Sequence, residues 1–81
     1  MAVFMVRNVH AAEECDLLER EWEEQAPPGL KGSLRLFCTC PTGEHGAFFE
    51  LEADSPERAL AILPPRFRLG SRAHAGEALT I

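Results

Sequence analysis

The chain has 81 residues, a formal net charge of −5 and three cysteines. One domain spanning residues 1–81 is expected; at this length it buries only about 60% of its unfolded surface, so self-association is the expected source of added stability. The acidic balance excludes the basic footprint of a nucleic-acid binder, no apolar run approaches the roughly 20 residues of a membrane helix, and an odd cysteine count without a signal peptide fits a reducing, cytoplasmic setting.

Ala2–Val9 reads as the first strand. Phe4 and Val6 fall on one face and Val3, Met5 and Val9 on the other, so both faces are apolar, as expected of a central strand. His10-Ala11-Ala12 leads into a helix that ends near Gln25-Ala26, before Pro27-Pro28-Gly29. Ala11, Cys15, Leu18 and Trp22 recur at helical spacing and predict its buried stripe. Seven of the 13 acidic residues lie between Glu13 and Glu24, most of them on the opposite, solvated side.

Ser33–Cys40 reads as the second strand, with Leu34, Leu36, Cys38 and Cys40 on one face and Arg35, Phe37 and Thr39 on the other. Residues 41–46, Pro-Thr-Gly-Glu-His-Gly, carry turn chemistry. The third strand follows, with Ala47, Phe49, Leu51 and Ala53 opposed to Phe48, Glu50 and Glu52. Folding the hairpin about residues 41–46 pairs Cys38 with Phe49, Leu36 with Leu51, Phe37 with Glu50 and Arg35 with Glu52. At the next helix, either Ser55 is the N-cap with Pro56 in the first turn, or Asp54 is the N-cap and Glu57 closes a capping box. Ala59, Leu60, Ile62 and Leu63 give that helix its apolar side, and Pro64-Pro65 ends it. A last strand is expected over Ala73–Ile81, with Gly70 and Gly76 as bends or bulges.

The order strand, helix, strand, strand, helix, strand predicts an α+β, ferredoxin-like βαββαβ domain. It has a four-stranded antiparallel sheet and two helices on one face. The other face, with Val3, Met5, Val9, Phe37 and Phe48, is too apolar to remain in water. A homodimer packed sheet to sheet is therefore expected.

Val3-Phe4-Met5-Val6-Arg7, the acidic helix after it and the run from Phe48 to Glu57 resemble the dimeric α/β-barrel proteins. Muconolactone-isomerase-like domains and related short proteins are the nearest of these. The resemblance covers residues 2–65 and implies the fold and the dimer. It carries over no family catalytic motif and no cofactor, and the superfamily's activities are too varied to imply a reaction.

Two constellations would carry chemistry. The first is on the open sheet face. Glu50 and the rim residue His10 would move protons, while Arg7, Arg35, Phe37 and Phe48 would hold a small anionic organic molecule in the dimer interior, for isomerisation, oxidation or simple binding. The same charges would equally form a cross-strand ion-pair lattice. The second is Cys38, Cys40 and His45, which would make the protein a non-catalytic structural or metal-binding module. Two cysteines separated by one residue on a strand put both sulfurs on one face. Against this, the ligand pair is not repeated elsewhere as zinc signatures require, and both cysteines continue the apolar stripe of Leu34 and Leu36, where core packing is expected. Cys15 is assigned to the helix core. His74 is too weakly placed to carry a role.

Overall fold

The computed structural model describes residues 2–30, 34–77 and 79–81. Strand β1 (Ala2–Val9) alternates as its sequence requires: Phe4, Val6 and Asn8 are buried while Val3, Met5, Arg7 and Val9 are exposed. It is central, pairing antiparallel with β3 (Gly46–Ala53) on one side and β4 (Ser71–Ala75) on the other. A short edge strand, β2 (Phe37–Cys38), completes a four-stranded antiparallel sheet in the order β2-β3-β1-β4. The architecture is thus α+β, with an open sheet.

Helix α1 (Cys15–Gln25) is preceded by one 3-10 turn at Ala12–Glu14. Leu18 of the expected stripe is buried, Cys15 and Trp22 are half-buried, and Ala11 is exposed because it precedes the helix in extended backbone. Helix α2 (Pro56–Ala61) takes the first of its two expected starts. The Ser55 hydroxyl accepts from the Arg58 amide at 3.1 Å, and Pro56 occupies the first turn. The core joins Phe4, Val6, Phe49 and Leu51 of the sheet to Leu18, Ala59, Leu63 and Phe67 of the helical side. Trp22, Phe49 and Phe67 meet at ring separations of 5.5–6.4 Å.

Three local expectations need correction. The second strand is two residues long, not eight; its expected first residue, Ser33, lies outside the described residues. Its register is Phe37↔Phe48 and Cys38↔Ala47, two residues from the pairing read in the sequence. The cause is the turn. Cys40–Thr42 leaves the strand as a 3-10 turn with Pro41 inside it, and Gly43 (φ 91°) supplies the left-handed step. The Thr39 amide then donates to the Gly46 carbonyl at 3.0 Å. Gly46 joins β3 because its backbone passes against the Asn8 carbonyl, where a Cβ would collide. Consequently Cys38 is exposed and Cys40 sits in the turn, neither in the core stripe.

The second correction is a third helix. Pro64-Pro65 ends α2, and Pro65 also starts α3 (Pro65–Leu69). The Glu21 carboxylate of α1 caps α3, accepting from the amides of Arg66 (3.1 Å) and Phe67 (2.9 Å). The Arg68 guanidinium donates back to the carbonyls of Leu60, Ala61 and Leu63 that close α2. Third, α3 moves the last strand forward to Ser71–Ala75; Ala78, within its expected span, lies outside the described residues.

The sheet face away from the helices exposes Val3, Met5, Val9, Phe37 and Phe48, with Phe37 72% exposed. Among the described residues no helix is long and apolar enough to cross a membrane.

Candidate metal centre

The β1–β3 register sets one end of the sheet. Val9 lies opposite Gly46, so the next residues outward, His10 and His45, are neighbours, and the His10 amide donates to the His45 carbonyl at 3.0 Å. From His10 the chain turns back through the 3-10 turn, and Cys15 opens α1. Cys40 opens the turn after β2, beside Gly46. The sheet pairing, the helix start and the hairpin turn thus bring His10, Cys15, Cys40 and His45 to one place. Their ligand atoms all lie within 4.8 Å of one another, and all four side chains are half-buried.

The distances within the cluster are specific. Cys15 Sγ is 3.7 Å from Cys40 Sγ, 3.2 Å from His10 Nε2 and 3.1 Å from His45 Nδ1; Cys40 Sγ is 3.4 Å from His10 Nε2. A tetrahedral ion with metal–sulfur bonds of about 2.3 Å and metal–nitrogen bonds of about 2.0–2.1 Å separates two sulfurs by about 3.8 Å and a sulfur from a nitrogen by about 3.6 Å. The observed sulfur pair meets that separation, and the sulfur–nitrogen edges are a few tenths shorter.

The second layer fixes which nitrogen of His10 faces the sulfurs. Asn8 is 1% exposed. Its amide NH2 donates to the Phe67 carbonyl and the Ser71 hydroxyl, each at 3.0 Å, while that hydroxyl donates to the Phe67 carbonyl at 2.8 Å. With its donors committed, Asn8 presents Oδ1 to His10 at 2.8 Å. His10 Nδ1 must therefore carry the proton it donates, leaving the Nε2 lone pair toward Cys15 and Cys40. Burial holds the His10 imidazole below its ordinary pKa, and His45 pushes the same way, against a smaller upward pull from Glu14. The neutral ring is the metal-binding form.

The hairpin turn is itself secured. The Thr39 hydroxyl donates to the carbonyls of Glu44 and Gly46, and the Thr42 hydroxyl donates to the Thr39 carbonyl at 2.8 Å. A cavity of about 430 Å³ opens beside the two histidines, lined also by Arg7, Thr39, Glu44 and Phe48.

The residues expected to carry chemistry divide between two places. Arg35, Phe37, Phe48 and Glu50 share a concavity of about 550 Å³ on the open sheet face. Arg7 borders that region, its guanidinium 5.9 Å from the Phe48 ring centre. Glu50 pairs across from Met5, and Phe37 lies opposite Phe48 rather than Glu50. His10 is not among them; it belongs to the cluster. Of the expected metal set, Cys40 and His45 are in the cluster, whereas Cys38 is exposed outside it.

Sequence reasoning missed Cys15, which was read as core, and Asn8. A signal was present nonetheless: His10 and Cys15 are separated by four residues, and so are Cys40 and His45, in inverted order. The ligand pair is repeated after all, as a mirror image, which only antiparallel pairing of the flanking strands turns into one site. The chain matches no protein-family model, no curated protein and no solved structure.

Proposed function

We propose that this protein is a small zinc-binding module in which His10, Cys15, Cys40 and His45 hold one ion with a structural role. The carrying observation is the convergence of two thiols and two imidazoles from two stretches of chain, residues 10–15 and 40–45, with all four ligand atoms within 4.8 Å of one another and the sulfurs 3.7 Å apart. Two sulfurs and two nitrogens favour zinc over the harder cations, which take oxygen ligands. Four protein ligands leave no open position for a substrate, the pattern of structural rather than catalytic sites. The ion would tie the start of α1 to the β2–β3 turn. Protein purified without a histidine tag, loaded with zinc and desalted is expected to retain one zinc per chain by elemental analysis. Cobalt loading should give the visible absorption of tetrahedral thiolate coordination. Cys40→Ser should lose both and Cys38→Ser neither; less than half an equivalent of retained metal in the unmodified protein rejects the reading.

A second reading concerns the other face. We infer a ferredoxin-like fold, supported by the strand order β2-β3-β1-β4 with helices connecting β1 to β2 and β3 to β4. We infer too that a second copy covers the exposed Val3, Met5, Val9, Phe37 and Phe48. The concavity shared by Arg35 and Glu50 then becomes an interior in which a small anionic molecule would bind. Light scattering at micromolar concentration is expected to give twice the chain mass. A monodisperse monomer removes this reading and leaves the metal centre untouched.

A further inference from the structure

We propose that Cys15 and Cys40 form a peroxide-responsive pair, oxidised to a disulfide that expels the metal and takes over its cross-link. The release rests on the zinc reading above; the disulfide does not.

The two sulfurs already lie 3.7 Å apart. A disulfide needs about 2.05 Å, so only about 1.7 Å of further approach is required. The segments that must yield are slight: the first residue of α1 and a 3-10 turn beyond a strand held to β3 by two residue pairs. Both cysteines are half-buried rather than enclosed, and the cavity of about 430 Å³ reaches the histidine side of the cluster, lined by His10 and His45 but by neither cysteine. Cys38, the remaining thiol, is exposed and contributes no ligand atom, but its side chain interacts with Cys40, so it is the competing thiol that Cys38→Ser removes.

The chemistry balances with a hydroperoxide as oxidant. One cysteine thiolate attacks the terminal peroxide oxygen. An S–O bond forms, the O–O bond breaks, and the leaving alkoxide or hydroxide takes a proton from solvent. The second thiolate then attacks the sulfenic sulfur; the S–S bond forms, and the departing hydroxide takes a second proton and leaves as water. Two electrons pass from the sulfurs to the peroxide. The sulfurs lose their negative charge and with it most of their donor strength. Two neutral imidazoles remain, too few to retain the ion.

The new bond joins the same two segments as the metal, across a sequence separation of 25. Oxidation therefore frees the ion without releasing the fold.

The test uses wild-type protein in two arms, zinc-loaded and metal-free reduced, each given limiting hydrogen peroxide. A chromophoric chelator counts released zinc, and non-reducing peptide mapping locates the linkage. The expected result is one Cys15–Cys40 disulfide per chain in both arms. In the loaded arm one zinc should leave per disulfide formed, unchanged in Cys38→Ser and reversed by dithiothreitol. The oxidised, metal-free protein should melt within about 5 °C of the loaded one, well above reduced protein stripped of metal. Failure to load zinc, with the disulfide still forming in the metal-free arm, defeats the zinc reading and the release but keeps the pair. A linkage through Cys38, a bond between chains, or sulfinic acid without linkage in both arms overturns the proposal.

Discussion

Asn8 has one donor group and one acceptor, and both are committed. Its amide NH2 is spent on Phe67 and Ser71 at the α3–β4 junction, and its carbonyl holds His10. Replacing it with leucine removes the partner of His10 Nδ1 and the bonds that Asn8 gives to the Phe67 carbonyl and the Ser71 hydroxyl, which keep their bond to each other. Asn8→Leu is expected to weaken zinc binding about 10–100-fold in a chelator competition and to cost about 1–3 kcal/mol in urea unfolding of the metal-free protein. Asn8→Asp keeps the acceptor for His10 but faces the Phe67 carbonyl with no amide proton. It should lose stability and retain more affinity than the leucine variant, which separates ligand positioning from packing. Asn8 was invisible in the sequence because alternation along β1 already explained its burial. Nothing local shows that a polar residue on the inward face meets a histidine two positions later. His10 was noticed but sent to a pocket rim, since its partners lie five residues along α1 and across two strands.

Elements whose cause is local were legible. The bounds of β1, the Ser55 cap with Pro56 and the stop at Pro64 each follow from residues inside or beside the element. Strand β2 was not legible, because its apolar alternation from Leu34 to Cys40 satisfies a strand pattern that the turn overrides. Proline inside that turn, the left-handed Gly43 and the Thr39 hydroxyl together pull Cys40 out of the strand and move the register by two residues. Helix α3 was missed for a related reason: five residues between prolines and a glycine show no periodicity, and its cap comes from Glu21, 45 positions away from Arg66. The turn's glycines differ in role, and substitution shows it. Gly46→Ala forces β3 away from the Asn8 carbonyl and is expected to cost about 1–3 kcal/mol and to reduce zinc retention. Gly43→Ala, with open space around it, should cost only the left-handed backbone penalty of about 1–2 kcal/mol. Urea denaturation of both variants, with and without zinc, checks the contrast.

At the scale of the molecule, the described core holds ten buried apolar residues, and its edge strand is two residues long. A fold so lightly held gains heavily from a bound ion. With free zinc at 1,000 times its dissociation constant, binding adds about 4 kcal/mol. In a domain of this size that corresponds to a melting shift of about 15–30 °C. Stripping with a strong chelator under reducing conditions is expected to lower Tm by that amount, and readdition of zinc to restore it; a Tm indifferent to chelator would mean the cluster does not hold the fold. Seen from the pairing of Val9 with Gly46, the ligands are a palindrome. His10 and His45 stand one step outward from that pair, and Cys15 and Cys40 stand six. A slip of the β1–β3 register breaks the symmetry and scatters the four ligand atoms. Metal capture therefore proofreads strand registry: a chain that acquires its ion has already paired its two longest strands correctly.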